Sequence, residues 1–455
     1  MLNDKKTIFA LATAPGKSGV AVIRISGPDA VNSIKSLTKG SALKPRQATL
    51  RNLINPKTQE LIDKAIIIYF PGPNSFTGED IIELHIHGSR AVINILIKLL
   101  SDFNNFRIAN PGEFAKRSFL NGRMDLTEAE GLSDLIEAET LIQQQQAARQ
   151  MQGELSELYD NWKMKLIKML ALIEAYLDFP DDDIPDEVIS EVNNEVEYLK
   201  NELALHLNDH RRGEILRNGI YVAILGSPNV GKSSLLNYLA KKDVAIVSNI
   251  AGTTRDVIEV NLDLAGYPVT IADTAGIRES QDLIEKEGIT RALRKAEDAD
   301  IKIIMLAADD DSSYKIKAMM DDNTIIIMNK IDLRHVETIA ETSRDNHTGS
   351  FGCTQDDVLA VSVNQNIGLD LFLEKLTMLI SEKFSPSSDP VITRERHRYH
   401  IKECYEALSF FDLNKPLELA SEDLRIATRA LGKIVGVIDV ETILDEIFLK
   451  FCIGK

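Results

Sequence analysis

The sequence predicts a multidomain chain: an α+β N-terminal domain, an all-α helical domain, and an α/β domain inserted into the helical one. Three observations predict this. Early in the chain, short apolar runs are separated by Gly/Pro clusters. A long stretch then repeats apolar residues at three- and four-residue steps. Between residues 219 and 381, short apolar runs alternate with helical patterns, and helical periodicity resumes beyond. At 455 residues the chain also exceeds one typical domain.

In residues 1–120, the runs 20–25, 65–69 and 81–86 predict buried strands. The clusters PGKSG, SGP, PGPNSFTG and NPGE supply the turns between elements. Residues 121–215 form the first part of the helical domain. There Leu155, Leu158, Trp162, Leu166, Met169, Ile173 and Tyr176 predict one apolar helix face. Pro180 stops that helix, and residues 186–210 predict another. The acidic block at 178–197 reads as a solvated surface segment.

Residues 216–382 carry apolar runs at 220–225, 269–272, 301–307, 324–328 and 358–361. Their alternation with helical patterns predicts a largely parallel sheet with helices on both faces. A linker containing Pro386 and Pro390 follows. Residues 383–455 complete the helical domain and end in the tail CIGK. No internal repeat is present.

Composition narrows the function. The formal net charge of −17 argues against a broad basic nucleic-acid groove. No run of about 18 apolar residues predicts a membrane helix. The start, MLNDKKTIFALATAPG, is too mixed for a signal peptide. Cys353, Cys404 and Cys452 form neither a disulfide framework nor a zinc spacing, so a reducing, cytoplasmic location is expected.

The strongest chemical signal is GSPNVGKS, from Gly226 to Ser233, after a predicted strand and before a predicted helix. Its glycines let backbone N–H groups converge on phosphates, and the helix N-terminus favours negative charge. Lys232 is expected to reach the β- and γ-phosphates, and the Ser233 hydroxyl to bind Mg²⁺. A second GKS, at Gly16 to Ser18, is rejected because Leu11 stands where the first glycine belongs.

Further motifs follow in order. Asp273-Thr-Ala-Gly276 ends a strand; its carboxylate suits Mg²⁺ through water, and Gly276 suits the γ-phosphate. Asn329-Lys-Ile-Asp332 ends another, and a buried Asp332 would accept from the N1–H and amine of guanine. Ser362 suits a last base-contacting loop. Gly252-Thr-Thr254-Arg-Asp256 is a switch candidate, with Thr254 as a Mg²⁺ ligand. This set describes a Ras-like P-loop GTPase domain. Many such enzymes orient water with a glutamine just after the DxxG glycine. Ile277 occupies that position here, so another group must act. Glu285 and Glu287 lie downstream; taken alone, either reads first as a surface glutamate.

At this point the chain resembles the MnmE (TrmE) family of tRNA modification GTPases over nearly its full length. The resemblance rests on GSPNVGKSSLLN, IAGTTRD and DTAGIRE in the inserted domain. Outside it rest PGKSGVAVIRISG, NSFTGEDIIELHIHG, NPGEFAKRSFLNGRMDLTEAEGL and the terminal FCIGK. It implies a homodimer formed through the N-terminal domain and a flavoprotein partner, MnmG, in a heterotetramer. Together they would place an aminomethyl or carboxymethylaminomethyl group on C5 of wobble uridine in certain tRNAs. The implied cofactors are K⁺, Mg²⁺ and 5-formyltetrahydrofolate or a related reduced folate. GTP hydrolysis would be activated by K⁺-dependent pairing of G domains.

Carried over by position, K⁺ would be held by Asn229, Ser248, Ile250 and Thr253, and water oriented by Glu285. GTP contacts would come from Asn229, Val230, Gly231, Lys232, Ser233 and Ser234, then from Ser248, Asn249, Ile250, Ala251, Gly252, Thr253 and Thr254. Asp273, Thr274, Ala275 and Gly276 would follow, with Asn329, Lys330, Ile331, Asp332, Ser362, Val363 and Asn364 around the base. Arg24, Glu83, Arg123 and Lys455 match the family's folate contacts. Their chemistry suits that role: a carboxylate for pterin N–H groups and cations for an acidic tail.

Cys452 is a candidate one-carbon site, either as nucleophile or as a packed, positioning residue. Two positions depart from the family pattern: Val363 where alanine is usual, which bears on packing, and Ser248 where threonine is common. His85 and His87 alternate on a strand and read as sheet surface or core rather than a metal pair. Two rival readings stay open at this stage: an RNA-binding assembly GTPase, and a non-catalytic folate-binding scaffold.

Overall fold

The computed structural model describes residues 6–178, 186–227, 229–242, 244–246, 259–273, 299–307, 321–333, 358–387, 389–436, 444, 447–449, 451 and 454. The chain divides into two compact units. One comprises residues 1–133, 149–200 and 400–455, the other residues 134–148 and 201–399.

The first unit holds a six-stranded sheet of β1 (Thr7–Leu11), β2 (Ser18–Ser26), β3 (Thr49–Ile54), β4 (Leu61–Phe70), β5 (Ile81–Gly88) and β6 (Phe106–Ile108), in the order β3-β4-β5-β2-β1-β6. All pairs are antiparallel except β1 with β6. One face is covered. Ala21, Ile23 and Ile25 of β2 and Ile82, Leu84 and Ile86 of β5 join Leu37 of α1 (Ala30–Leu37) and Leu96 and Leu100 of α2 (Arg90–Ser101) in one core. The intervening residues, Arg24 and Glu83 among them, point to the other face. The expectation of wholly buried strands therefore fails for residues 20–25, where Val20 is 56% exposed, and for residues 65–69. Ala65 and Ile67 are buried, but Ile66 is 42% exposed, because helices cover this antiparallel sheet on one side only.

After α3 (Glu113–Leu120), the helical stretch breaks into α4 (Leu126–Glu137), α5 (Leu141–Met151) and α6 (Glu154–Asp178). The breaks have local causes. Asp125 and Glu128 exchange backbone-to-side-chain hydrogen bonds of 2.7 and 2.8 Å, a capping box that starts α4. Thr140 and Gln143 do the same at the start of α5. Gly153, at φ +95°, turns the chain into α6. The next helix is α7 (Asp186–Leu207). Pro180 and the acidic residues around it lie outside the described residues.

The second unit is built on α8 (Arg212–Asn218), β7 (Ile220–Leu225), α9 (Lys232–Leu239), β8 (Glu259–Leu264), β9 (Tyr267–Asp273), β10 (Ile301–Ala307), β11 (Thr324–Asn329), β12 (Val358–Ala360) and α10 (Leu369–Phe384). The strands form one sheet in the order β12-β11-β10-β7-β9-β8, parallel except for the β8–β9 hairpin. Burial is nearly continuous along β7, β9 and β10. This sheet thus contrasts with the alternation of the first one. Its parallel strands bring the C-terminal ends of β7, β9, β11 and β12 to one edge. Arg398, from α11 (Glu395–Phe410), bonds Glu214 and Asp209 at 2.7 and 2.6 Å and so steadies α8, which leads into β7.

The helices of the first unit pack by periodicity. Leu155, Tyr159, Trp162, Leu166, Met169 and Ile173 form the buried face of α6, against α12 (Leu417–Val435). Leu158 and Tyr176, expected on that face, are only half-buried, and Tyr159 takes the inner position. The steps of four and three from Leu155 run through Tyr159 rather than Leu158.

Candidate functional site

Two sites take shape, one in each unit. In the second unit, the loop after β7 turns through positive φ at Gly226, Asn229 and Gly231 before α9 starts at Lys232. Glycine is required twice by space as well as by φ. A Cβ on Gly226 would lie 2.3 Å from the Met305 carbonyl oxygen, and one on Gly231 2.3 Å from Asn329 Nδ2. Lys232 Nζ donates to the carbonyls of Gly226 and Ser227, both at 2.9 Å. Burial pushes its ammonium below the ordinary pKa, and the Asp273 carboxylate pulls it part of the way back.

Ser233 Oγ donates to Asp273 Oδ2 at 2.9 Å, which joins the end of β9 to the start of α9. A hydroxyl beside a buried carboxylate is the oxygen donor set that Mg²⁺ prefers, so these residues fit that ion. Asn329, at the end of β11, ties three loops together. Its Nδ2 donates to the Val230 carbonyl at 2.7 Å, and its Oδ1 accepts the Val363 N–H at 3.1 Å.

Asp332 sits in a short 3-10 turn, Ile331–Leu333, after Lys330 at φ +64°. Its Oδ1 accepts the Ser362 hydroxyl at 2.6 Å. Sequence reasoning took Asp332 as buried; it is exposed, on the short turn that follows β11. Val363, whose size bore on packing, is buried within the core of the sheet. Ser234 and Asn364 are exposed beside the same loops.

Several expected residues lie outside the described residues: Ser248, Asn249, Ile250, Ala251, Gly252, Thr253, Thr254, Thr274, Ala275, Gly276, Ile277, Glu285, Glu287, Cys452 and Lys455. Of the expected K⁺ ligands, Asn229 alone is described.

In the first unit, the free face of the sheet carries a cavity of about 470 Å³, a size suited to a small-molecule ligand. Arg24, Glu83 and Arg123 all line it. Arg24 of β2 stands opposite Glu83 of β5 in register, and its Nε and one terminal nitrogen donate to Glu83 Oε1 at 3.0 and 2.9 Å. The Arg24 guanidinium also lies 5.5 Å from the Phe76 ring and 5.8 Å from that of Phe114. His85, two residues along β5, places Nε2 3.3 Å from the other Glu83 oxygen. His87 instead bonds Asp63 at 2.7 Å.

Asn74, Ser75 and Phe76 line this cavity, and the fold pins residues 71–80 around them repeatedly. Asp80 Oδ1 accepts the Tyr69 hydroxyl and the Gly72 N–H. Ser118 donates to the Phe76 carbonyl, and Asn121 to that of Thr77. Glu79 accepts from Ser26 and from buried Arg117, which also reaches Glu113. Glu113 is in turn held bidentately by Arg107. Burial pushes the Glu113 carboxyl up, but the Arg107 and Asn110 hydrogen bonds and both guanidinium charges outweigh it, so its pKa is lowered. Sequence reasoning did not single out Arg46, Phe70, Asn74 or Phe76, which also line the cavity. NSFTG was quoted only as a motif, and nothing in the sequence marks Arg46.

A phosphate loop between a parallel strand and a helix, a carboxylate–hydroxyl pair beside it, and an Asn-x-x-Asp turn at the same sheet edge define a P-loop guanine-nucleotide-binding protein. The rest of the chain carries the more particular likeness. Residues 126–452 match the model of the MnmE helical domain, and residues 7–123 that of the GTP-binding protein TrmE N-terminus. The tRNA modification GTPase MnmE of Rickettsia akari is 50% identical over 454 residues, covering 99% of this chain and 100% of the relative. Those of Rickettsia typhi and Rickettsia prowazekii are 50% and 49% identical, with the same coverage. The chain belongs to the MnmE family of tRNA modification GTPases, and it is a GTP hydrolase. Among the described residues, no helix is long and apolar enough to cross a membrane.

Proposed function

We propose that this GTPase is K⁺-dependent and acts in the cytoplasm with the flavoprotein MnmG. The pair adds an aminomethyl or carboxymethylaminomethyl group to C5 of wobble uridine in certain tRNAs. Residues 1–120 bind a reduced folate such as 5-formyltetrahydrofolate and form the homodimer. Residues 121–215 and 383–455 make the helical domain, and residues 216–382 the G domain, whose pairing with its twin activates hydrolysis.

The observation that carries this reading is the clustering of Lys232, Ser233, Asp273, Asn329 and Asp332 at one sheet edge, in a chain that also holds the Arg24–Glu83–Arg123 cavity. On GTP binding, Lys232 exchanges two loop carbonyls for phosphate oxygens. The loop amides and the α9 N-terminus face the same anion. Ser233, Thr254 and Asp273 would hold Mg²⁺ there. Asn229, Ser248, Ile250 and Thr253 hold K⁺. These ions supply positive charge as charge builds on the transferring phosphoryl group. Glu285 orients the attacking water, since Ile277 cannot. Asp332 selects guanine, and Ser362 holds Asp332 in place.

In the cavity, Glu83, with Arg24 bonded to it, receives pterin N–H groups, while Arg123 and Lys455 serve the acidic end of the ligand. Cys452 serves the one-carbon unit that the folate supplies, as a nucleophile or as a positioning residue. Nucleoside analysis of tRNA from cells lacking this protein tests the reading. The C5 substituent should vanish from wobble uridine, and its persistence overturns the assignment. Hydrolysis in K⁺ should exceed that in Na⁺ at matched ionic strength, and indifference to the cation removes the K⁺ site. Glu285→Ala should lower kcat strongly with GTP affinity near wild type. Damage from Glu287→Ala instead would move the water-orienting role to Glu287.

A further inference from the structure

The carboxylate of Glu83 is gripped at both oxygens, and the two grips differ. Arg24 Nε and one terminal nitrogen both donate to Oε1, at 3.0 and 2.9 Å. The last torsion of a glutamate is soft, so a fork closed on one oxygen leaves the carboxylate able to turn about it. The Arg107–Glu113 pair shows the alternative. There two terminal nitrogens take one oxygen each, at 2.7 and 2.6 Å, and so fix the carboxylate plane. At Glu83 the second point comes from another residue: His85 Nε2 lies 3.3 Å from Oε2.

The surroundings of His85 direct it to this contact. Register places it beside Val22 of β2 and Ile66 of β4, whose aliphatic side chains offer no hydrogen bond. His87, the next residue on the same face, is turned to Asp63. A ring nitrogen facing a carboxylate carries a hydrogen, which the Nε2–H tautomer and the imidazolium both supply. The Glu83 and His85 side chains are 17% and 30% exposed, so water competes only in part for the bond. A carboxylate has about four acceptor sites. Arg24 uses two on Oε1 and His85 one on Oε2, which leaves Oε2 able to receive a ligand donor. Arg24 and Glu83 line the cavity; His85, two residues along β5, lies outside its lining and acts on a ligand through Glu83.

We infer that His85 is a positioning residue for ligand recognition in this cavity: by holding Oε2 it fixes the plane of the Glu83 carboxylate that receives the pterin. This rests on the folate reading of the cavity. A pterin is flat and its N–H donors lie along its edge, so a carboxylate turned out of that plane meets them at poor angles.

Calorimetry on the full-length protein, with 5-formyltetrahydrofolate as the probe, tests this. His85→Leu suits the aliphatic neighbours but cannot donate. It should weaken binding by about tenfold, the scale of one hydrogen bond lost. His85→Ala, a second variant without a donor, should do the same. His85→Gln offers an amide N–H to Oε2 and should stay within about threefold of wild type. Rescue by glutamine separates the donor from the shape of the ring. If His85→Gln loses as much as His85→Leu, the ring only fills space and the positioning role is wrong. Binding within about twofold of wild type in both donorless variants also overturns it. Failure of this folate to bind the wild type overturns the folate reading itself, and this inference with it.

Discussion

The nucleotide cleft and the arginine-lined cavity both suit anionic ligands, yet they are built in opposite ways. In the cleft, backbone loops at the end of a parallel sheet carry the chemistry, and several of the described polar groups already have protein partners. Lys232 bonds two carbonyls, Ser233 bonds Asp273, and Ser362 bonds Asp332. In the cavity, side chains project from antiparallel strands, the Arg24–Glu83 pair is fixed by register, and among the described residues two guanidinium groups stand without a carboxylate. A ligand entering the cleft must replace internal hydrogen bonds, so selectivity follows from which ones it replaces well. A ligand entering the cavity meets charge already in place.

Removing the cleft's central cation gives the largest expected effect. Lys232→Ala should lower GTP turnover by about a thousandfold, because the ammonium stabilises charge that grows in the transition state. The protein without nucleotide should unfold at nearly the same temperature. The lost carbonyl bonds are offset by removal of a buried charge whose pKa is already depressed. Turnover within tenfold of wild type (about 1.4 kcal/mol) would show that the loop is not where phosphate charge is met. A smaller loss is expected at the base. Asp332→Asn should weaken GTP by about a hundredfold and admit xanthine nucleotides, since the donor and acceptor pattern inverts. Retention of Ser362 beside the new amide would leave the loop intact. Equal turnover of ATP and GTP by the unmodified protein would break the guanine assignment.

The same contrast explains what was legible in the sequence. The cleft's parts lie in short contiguous motifs because a loop between strand and helix is a local object. Gly226, Gly231 and Lys232 could be read from spacing alone. Arg24 and Glu83 lie 59 residues apart, and only the pairing of β2 with β5 makes them neighbours. The family resemblance supplied them; no local pattern could have. Arg46 was invisible because its place at the cavity depends on a left-handed backbone and a bridge from Pro45 to Tyr69. The parity of the first sheet was half legible. Apolar runs marked β2, β4 and β5 but not β1, β3 or β6, and Ile66 shows that such a run does not say how many faces are covered. On α6, Tyr159 displaced Leu158 because an amphipathic aromatic reaches the core as well as leucine does.

The smallest expected effect on hydrolysis comes from the cavity's support, and it is a change in stability. Glu113 is 3% exposed and receives Arg107 and Arg117, while Arg117 also holds Glu79, three residues beyond the cavity-lining Phe76. Its folded pKa lies below the ordinary 4.5, so the stabilisation is fully present above that value. It is lost as pH falls through the folded pKa. Glu113→Gln should therefore cost about 3 kcal/mol near neutral pH, the usual scale for removing one member of a buried ion pair. The cost should shrink as the solution is acidified below 4.5, where the wild-type carboxylate also becomes neutral. The chain's single tryptophan makes this measurable in the full-length protein. Trp162 is buried in α6, in the same unit as the cavity, so its fluorescence follows that unit's unfolding in urea. GTP turnover, built on the other unit, should stay within about twofold of wild type at neutral pH below the unfolding transition. A loss of turnover matching the loss of stability would mean that the two sites do not stand as independently as their construction implies.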